Sequence, residues 1–104
     1  MHLVLCNVPP DKADAIADQL VAEHLAACVN LSFVRSVYRW QGEVQHDAEV
    51  TLWIKVSSAR VDNLRARLVE LHPYELPEVL VFDADKEHSL AAYVQWVNQE
   101  CAPE

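Results

Sequence analysis

Hydrophobic residues recur with strand-like spacing in some segments of this chain and with helix-like spacing in others. The order of these segments predicts the secondary structure. Residues 3–8 form a nearly continuous apolar run that ends at two prolines, which predicts a buried strand because proline cannot continue a sheet ladder. Apolar residues then recur at steps of three and four, the spacing that places them on one face of a helix. This pattern predicts an amphipathic helix over residues 10–27, with Asp11 as its N-cap.

An extended segment on each side of a turn predicts a long β-hairpin over residues 28–56. Apolar residues alternate with polar or aromatic ones from position 50 to position 56, and Gln41-Gly42 supplies the turn because glycine adopts positive φ readily. Both arms approach twice the usual strand length of about 5–6 residues. A chain of 104 residues cannot cover such arms with its own helices, so we expect their tips to project.

Helical spacing returns after Ser57-Ser58, which we expect to cap a second helix. This helix ends before Pro73, because a residue that precedes proline avoids the helical region. A proline-rich connector leads to a short apolar strand at residues 78–82, and Ser89 opens a last helix. The order β-α-β-β-α-β-α predicts an α+β fold, namely the ferredoxin-like arrangement with a long central hairpin and an extra C-terminal helix.

Composition and charge narrow the possible functions. The length predicts a single domain, residues 1–104, and the formal charge of −8 disfavours binding to nucleic-acid phosphates. No apolar run is long enough to span a membrane and the first residues lack a basic leader, so we expect a cytoplasmic protein. The single glycine excludes Gly-rich phosphate loops, and three cysteines without a CxxC pair disfavour a disulfide framework or a zinc ribbon. An apolar content of 52% is high for this size, which indicates that another subunit covers part of the surface.

Several segments resemble the CutA family of divalent-cation tolerance proteins, in the family's order and over essentially the whole chain. The most specific are LAACVN at residues 25–30 and HPYELPE at residues 72–78, and YRWQG at residues 38–42 adds to them. The resemblance implies a ferredoxin-like homotrimer in which the long hairpin crosses into the neighbouring subunit's sheet. It also implies a role in tolerance to copper and other divalent cations, and an architecture similar to that of the trimeric PII signalling proteins.

Two positions depart from the family pattern. Family members often carry a Pro-Gly pair where residues 31–35 read LSFVR, so a kink at this point must be lost or made by a bulge. Some members have a histidine directly before the HPY motif, whereas this chain has Leu71. A metal site built on a pair of adjacent histidines therefore cannot form here.

Four residues are the candidate ligands for Cu(II) or another divalent cation, namely Cys6, His72, Glu49 and Glu75. The resemblance points to Cys6, since the matching family position is the one usually proposed as a ligand, and thiolate and imidazole suit such ions. His72 is the second candidate, and either glutamate could complete the site, also from another chain. Two ordinary alternatives stay open: Cys6 as a buried apolar side chain, and His72 as a helix C-terminal residue that interacts with the dipole. No organic cofactor is expected.

Aromatic residues on the hairpin and the connector are candidates for an interface or a ligand cleft, namely Tyr38, Trp40, Trp53 and Tyr74. We favour packing between the subunits of a trimer. The alternative is a cleft at a subunit boundary, where small ligands often bind. The second function hypothesis is therefore a PII-like sensor or scaffold that binds a small anion or a partner protein in such a cleft.

Enzymatic motifs are lacking, and we expect a protein without catalytic activity. The sequence contains neither GxSxG nor HExxH, and a Cys6–His72 nucleophile pair would lack a glycine-rich segment to stabilise an oxyanion. We expect Cys28 to serve packing and Cys101 to lie in the C-terminal tail without a role. The acidic loop at residues 83–88 is expected to be solvated.

Overall fold

The chain folds into strands and helices that the computed structural model describes over residues 1–103. The elements are β1 His2–Val8, α1 Pro10–Ala22, β2 Cys28–Trp40, β3 Glu43–Val56, a 3₁₀ turn Ser58–Arg60, α2 Val61–Leu71, β4 Leu80–Asp83 and α3 Ala91–Glu100. The strands form one antiparallel sheet in the order β2-β3-β1-β4. This order confirms the predicted ferredoxin-like α+β fold with a long hairpin and a C-terminal helix.

The hydrophobic core lies between one face of the sheet and the helices. Directly paired residues of antiparallel strands point to the same face, and Val4 of β1 and its partner Ile54 of β3 are both fully buried. Leu20 of α1 and Leu64 of α2 belong to the same buried cluster. The opposite face of the sheet leaves large apolar side chains exposed, among them Leu80 and Phe82 of β4.

The hairpin extends well beyond the rest of the sheet. β1 pairs only with residues 50–56 of β3, so the part of the hairpin between residues 34 and 49 is a two-stranded ribbon. On one face of the hairpin Phe33 is 88% exposed, and Val37 and Val44 are exposed as well. The strand lengths thus have the consequence that we predicted, because the tips of the arms project from the single chain.

The hairpin turn consists of Gln41 and Gly42, as the sequence predicts. Both residues have positive φ, 50° at Gln41 and 82° at Gly42. Two consecutive left-handed residues are the mark of a turn whose twist matches that of the flanking strands. The turn therefore holds Trp40 and Glu43 in direct register at the end of the ribbon.

The first helix is shorter than predicted, ending at Ala22 rather than near residue 27. His24 takes a positive φ of 59°, which breaks the helical path. The amide groups of the next two residues then both donate to the carbonyl of Leu20, which closes the helix end. Between residues 1 and 103 no helix is long and apolar enough to cross a membrane.

The predicted side-chain caps were wrong at the starts of both core helices. Pro9 occupies the N-cap position of α1, and Asp11 lies in the first turn, where its charge interacts favourably with the helix dipole. A 3₁₀ turn that begins at Ser58 precedes α2, so Ser57 and Ser58 do not cap this helix, and neither makes a capping side-chain bond. The hydroxyl of Ser58 hydrogen bonds with His2 Nδ1 at 3.1 Å instead.

Three expectations for the C-terminal region also need correction. β4 begins at Leu80, after the position predicted, and α3 begins at Ala91 rather than at Ser89. Cys101 is not in a tail without a role, because it terminates α3 and is fully buried in the core cluster. A lone cysteine after a helix carries no signal in the sequence that separates a core position from a tail position.

Candidate functional site

A cleft of about 650 Å³ lies between the projecting part of the hairpin and the connector, by which we mean residues 72–79 between α2 and β4. We call it the acidic cleft, because four of its lining residues are acidic and none is basic. It is lined by Asn7, Pro9, Ser36, Tyr38, Trp40, Asp47, Glu49, Pro73, Tyr74, Glu75, Leu76 and Glu78. The volume falls within the range of about 300–1,000 Å³ that is typical of small-molecule sites.

The strand register explains why the hairpin presents these side chains on one face. Ser36 pairs directly with Asp47, and Val34 with Glu49, so these side chains share a face of the ribbon. Tyr38 follows on the same face because side chains alternate with a period of two along a strand. The apolar side chains at Phe33, Val37 and Val44 have the opposite parity and point away from the cleft.

Glu49 is the most deeply placed acid of the cleft, with only 7% of its surface exposed. Its carboxylate accepts a hydrogen bond from the Tyr74 hydroxyl, with 3.1 Å between the oxygens. Among residues 1–103 no cationic side chain forms an ion pair with it. Partial burial of Tyr74, together with the bond to Glu49, raises the pKa of the Tyr74 phenol above its ordinary value.

A second phenol binds a second acid on the ribbon. The Tyr38 hydroxyl donates a hydrogen bond to the carboxylate of Asp47. This bond is the largest cause of a raised pKa at Tyr38, because it favours the protonated phenol beside a negative charge. Both acids of β3 that line the cleft are thus held by neutral donors, and in the described part of the chain no basic side chain pairs with them.

His72 fastens the connector to β1 through one ring nitrogen and accepts a hydrogen bond from within the connector with the other. Nε2–H donates to the backbone carbonyl of Asn7 at 2.7 Å, and Nδ1 accepts from the backbone N–H of Tyr74 at 3.2 Å. Its ring also contacts the Tyr74 ring, with 4.7 Å between the centroids. In this arrangement His72 has no free lone pair for a metal ion.

Cys6 points away from the acidic cleft. It pairs with Leu52, both are completely buried, and this pair belongs to the helix-covered face of the sheet. Burial raises the pKa of the Cys6 thiol to about 12, with the charges of Glu78 and Glu49 adding to the effect. A metal-binding cysteine acts as a thiolate, so the arrangement in the single chain favours the core interpretation of Cys6.

The remaining candidates divide between two places. Glu75 and Trp40 line the acidic cleft, as do the residues already described. Trp53 does not, because it lies further along β3, where its Nε1–H donates to the Ser32 hydroxyl at 3.2 Å. Within residues 1–103, no group of three or more His, Cys, Asp or Glu side chains lies close enough to hold a metal ion.

Sequence reasoning missed several residues of the cleft. Asp47 stands two positions before Glu49 in a strand, and the period of two could have placed it on the same face. Glu78 and Asn7 were less predictable, because Glu78 reaches the site through the path of the connector and Asn7 through the pairing of β1 with β3. There the Asn7 side-chain amide donates to Glu78 at 3.2 Å and accepts from the Thr51 hydroxyl at 2.6 Å.

Another cavity, of about 800 Å³, lies near the 3₁₀ turn that precedes α2 and the end of α3. It differs from the acidic cleft in charge, because Arg60 and Lys86 line it together with two aspartates. Each aspartate is already paired with a histidine, Asp83 with His2 at 3.1 Å and Asp85 with His88 at 2.7 Å. None of the residues that the sequence singled out as ligands lies there.

Comparisons with known proteins agree on one family. Residues 2–100 match the family model of the CutA1 divalent ion tolerance protein. The chain is 38% identical to the divalent-cation tolerance protein CutA of Thermus thermophilus over 103 residues, which is 94% of this chain and 95% of that protein.

Solved structures of similar proteins superimpose along the whole fold. The PII-like protein CutA from Nostoc sp. PCC 7120 in apo form has a TM-score of 0.97 and 47% identity, with both chains fully covered. The periplasmic divalent cation tolerance protein CutA from Archaeoglobus fulgidus has a TM-score of 0.90 and 25% identity, with 98% of this chain and 100% of that chain covered.

Proposed function

The chain belongs to the CutA1 divalent ion tolerance protein family, and from this premise we propose that it acts as a homotrimer that binds divalent cations at the acidic cleft. The observation that carries the proposal is Glu49, a carboxylate that is 7% exposed and has no cationic partner among residues 1–103. A buried charge is costly unless it is paired with an opposite charge or coordinates a metal. A cation in the cleft would supply that partner.

Exposed apolar surface supports the homotrimer. The ribbon exposes Phe33, Val37 and Val44, and the open face of the sheet exposes Leu80 and Phe82. Exposed apolar surface of this extent is typical of interaction sites in soluble proteins. Each chain also carries a formal charge of −8, so the buried area must outweigh mutual repulsion for three copies to assemble.

The proposed donors are carboxylates. Glu49 and Glu75 belong to the set predicted from the sequence, and Asp47 and Glu78 line the same cleft. Since one chain does not bring three such donors together within residues 1–103, we propose that a neighbouring subunit completes the coordination. Cu(II) is the first ion to test, because it leads the usual affinity order of divalent first-row metals.

The prediction that Cys6 and His72 are metal ligands remains separate from this proposal. For them to bind an ion, Cys6 would have to lose a proton that burial retains, and His72 would have to release the carbonyl of Asn7. In the proposal they instead support the cleft, His72 by fixing the connector and Cys6 by filling the core beneath β1.

A calorimetric titration of the trimer with Cu(II) tests these assignments. We expect Glu49→Gln to weaken binding by about tenfold or more, since it removes the deepest charge. Asp14→Asn, on the exposed surface of α1, and Cys6→Ser should leave the affinity unchanged. Loss of binding in Cys6→Ser with full binding in Glu49→Gln would overturn the proposal and return the site to the thiol.

The second candidate function is that of a PII-like small-ligand sensor. The cleft volume and the likeness to the Nostoc PII-like protein CutA support it. The acidic lining changes one aspect of this hypothesis. The small anion that the sequence led us to expect would be repelled by the carboxylates, so a cationic ligand is favoured. Thermal-shift screening of metal-free protein tests the candidate, because a ligand that binds the folded state raises its melting temperature.

We further propose a cytoplasmic protein without a catalytic step. Its three cysteines are free, as expected in a reducing compartment, whereas the Archaeoglobus relative is described as periplasmic. Fractionation of cells that produce the full-length protein tests the location, and recovery in the periplasm would contradict it.

A further inference from the structure

The charge of the acidic cleft is of a single sign. Its four charged lining residues are Asp47, Glu49, Glu75 and Glu78, and the lining contains no lysine, arginine or histidine. The innermost of them, Glu49, is nine-tenths buried, and its side-chain hydrogen bond within residues 1–103 comes from a neutral phenol. A site with these charges attracts cations and excludes anions.

The walls of the cleft are aromatic as well as acidic. Tyr38 and Trp40 line it from the hairpin, and Tyr74 lines it from the connector. Aromatic faces attract organic cations and also cover the apolar part of a ligand, which a small hydrated metal ion does not possess. Both phenols are protonated at physiological pH, as tyrosine ordinarily is, and their raised pKa values extend this state to higher pH, so they act as hydrogen-bonding groups.

The spacing of the acids also distinguishes between kinds of cation. Within residues 1–103, the acids do not form a group of three that could coordinate one ion, although all four line the same cleft. A cation with charges separated along a chain can reach several carboxylates at once. A volume of about 650 Å³ admits a molecule of this size.

We propose that the acidic cleft binds an organic polycation, namely an aliphatic diamine or polyamine. One ammonium group binds the Glu49 carboxylate, the methylene chain packs on Trp40 and Tyr74, and a second ammonium group reaches the acids nearer the opening. This inference rests on the second candidate function, that of a small-ligand site, and it names the chemical class of the ligand.

The test is a titration of metal-free, full-length protein with spermidine, followed by calorimetry and by tryptophan fluorescence. We expect saturable binding that weakens as salt is added, because the attraction is electrostatic. The uncharged diol 1,4-butanediol and the dianion glutarate serve as matched ligands and should not bind. Equal binding of the diol, or no saturation by spermidine up to millimolar concentration, would overturn the proposal.

Three variants assign the contacts. We expect Glu49→Gln to weaken spermidine binding by about tenfold or more, and Trp40→Leu to weaken it by about two- to fivefold with the charge unchanged. Asp14→Asn on α1 should have no effect. If Glu49→Gln does not fold, Glu75→Gln provides the second charge variant, and unchanged affinity in every folded cleft variant would overturn the assignment.

A parallel Cu(II) titration separates this inference from the metal proposal. Copper binding without spermidine binding would overturn the polyamine site and leave the metal proposal standing. Spermidine binding without copper binding would support the site and remove the metal proposal. If both bind, we expect each to displace the other in the wild type, and we expect Glu49→Gln to weaken the binding of both. These two results would support a shared site. Independent binding would place the polyamine outside the cleft.

Discussion

The Tyr74 hydroxyl donates a hydrogen bond to the Glu49 carboxylate, with 3.1 Å between the oxygens, and thereby ties the connector to the hairpin. The two residues belong to different parts of the fold, one to the segment after α2 and the other to β3. Burial of the phenol is the largest cause of its raised pKa, and the bond to Glu49 and the charge of Glu49 add to it. The bond therefore has a consequence that a pH titration can measure.

We expect the Tyr74 phenol to ionise well above the ordinary pKa of 10.0 in the folded protein. A Tyr38→Phe/Tyr93→Phe background isolates its absorbance change on titration with base. Glu49→Gln should lower the pKa of Tyr74, but not to 10.0, because burial remains. Since the folded pKa is raised, the stabilisation is complete below about pH 10 and is lost as the pH rises through the folded value. A pKa of about 10.0 for Tyr74 in the folded protein would contradict the contact with Glu49.

The second prediction concerns the protection of Cys6. Burial raises its thiol pKa from 9.0 to about 12, so we expect the folded protein to keep it protonated and unreactive. This rise in pKa corresponds to a contribution of about 4 kcal/mol to the free energy of unfolding. The contribution is present in full below pH 9 and is lost as the pH rises towards 12. The rate of reaction with an aromatic disulfide reagent at pH 8 is the measurement.

The variant Cys28→Ser removes the reaction of Cys28 from that measurement, because Cys28 is the one cysteine with partial exposure. We expect this variant to show no rapidly reacting thiol when folded. Unfolding in guanidinium should then release the two remaining thiols, those of Cys6 and Cys101. A fast thiol in the folded variant would show that Cys6 is accessible and would reopen its role as a ligand.

The third prediction concerns the exposed face of the hairpin. Phe33 is 88% exposed in the single chain, and we expect a neighbouring subunit to cover it. Phe33→Asp should therefore convert the proposed trimer to smaller species, because it places a charge in an apolar interface of a chain that already carries −8. Light scattering coupled to size-exclusion chromatography measures the change. Val69→Asp, at an exposed position on α2, is the control and should remain trimeric. A monomeric wild type, or a trimeric Phe33→Asp variant, would contradict the interface.

The long elements could be predicted from the sequence because their patterns are local. The bounds of the hairpin agree with the expected residues 28–56, since alternation with a period of two and the Gln41-Gly42 turn are both visible in the chain. Helix ends were harder to predict. The serines before α2 have the residue type of a cap, yet Ser58 hydrogen bonds with His2 from β1, a contact that depends on tertiary structure.

The candidate site could be predicted in its residue types but not in its geometry. The aromatic and acidic residues of the cleft come from the hairpin and the connector, which are far apart in the sequence. The side on which Cys6 lies follows from its parity with Val4 and Val8, which are buried core residues. The occupation of both nitrogens of His72 could not be foreseen, because one of the two partners is the backbone carbonyl of Asn7 in β1, far away in the sequence.

The last prediction concerns strain in the hairpin turn. Gly42 has a φ of 82°, and a Cβ added there would meet no atom within 4 Å. Gly42→Ala should therefore destabilise the protein by about 1–2 kcal/mol through backbone strain alone, without a steric clash. Gln41 has a φ of 50°, so Gln41→Asn, which tolerates this region better, should stabilise it by up to about 1 kcal/mol.

Denaturant unfolding at one fixed protein concentration measures both turn variants, because the stability of an oligomer depends on concentration. The opposite signs of the two changes are the decisive result, since both substitutions lie in the same exposed turn. A Gly42→Ala variant as stable as the wild type would mean that the turn relaxes to a conformation with negative φ. In that case the register of Trp40 with Glu43, and with it the position of Trp40 in the acidic cleft, would differ from the structure described.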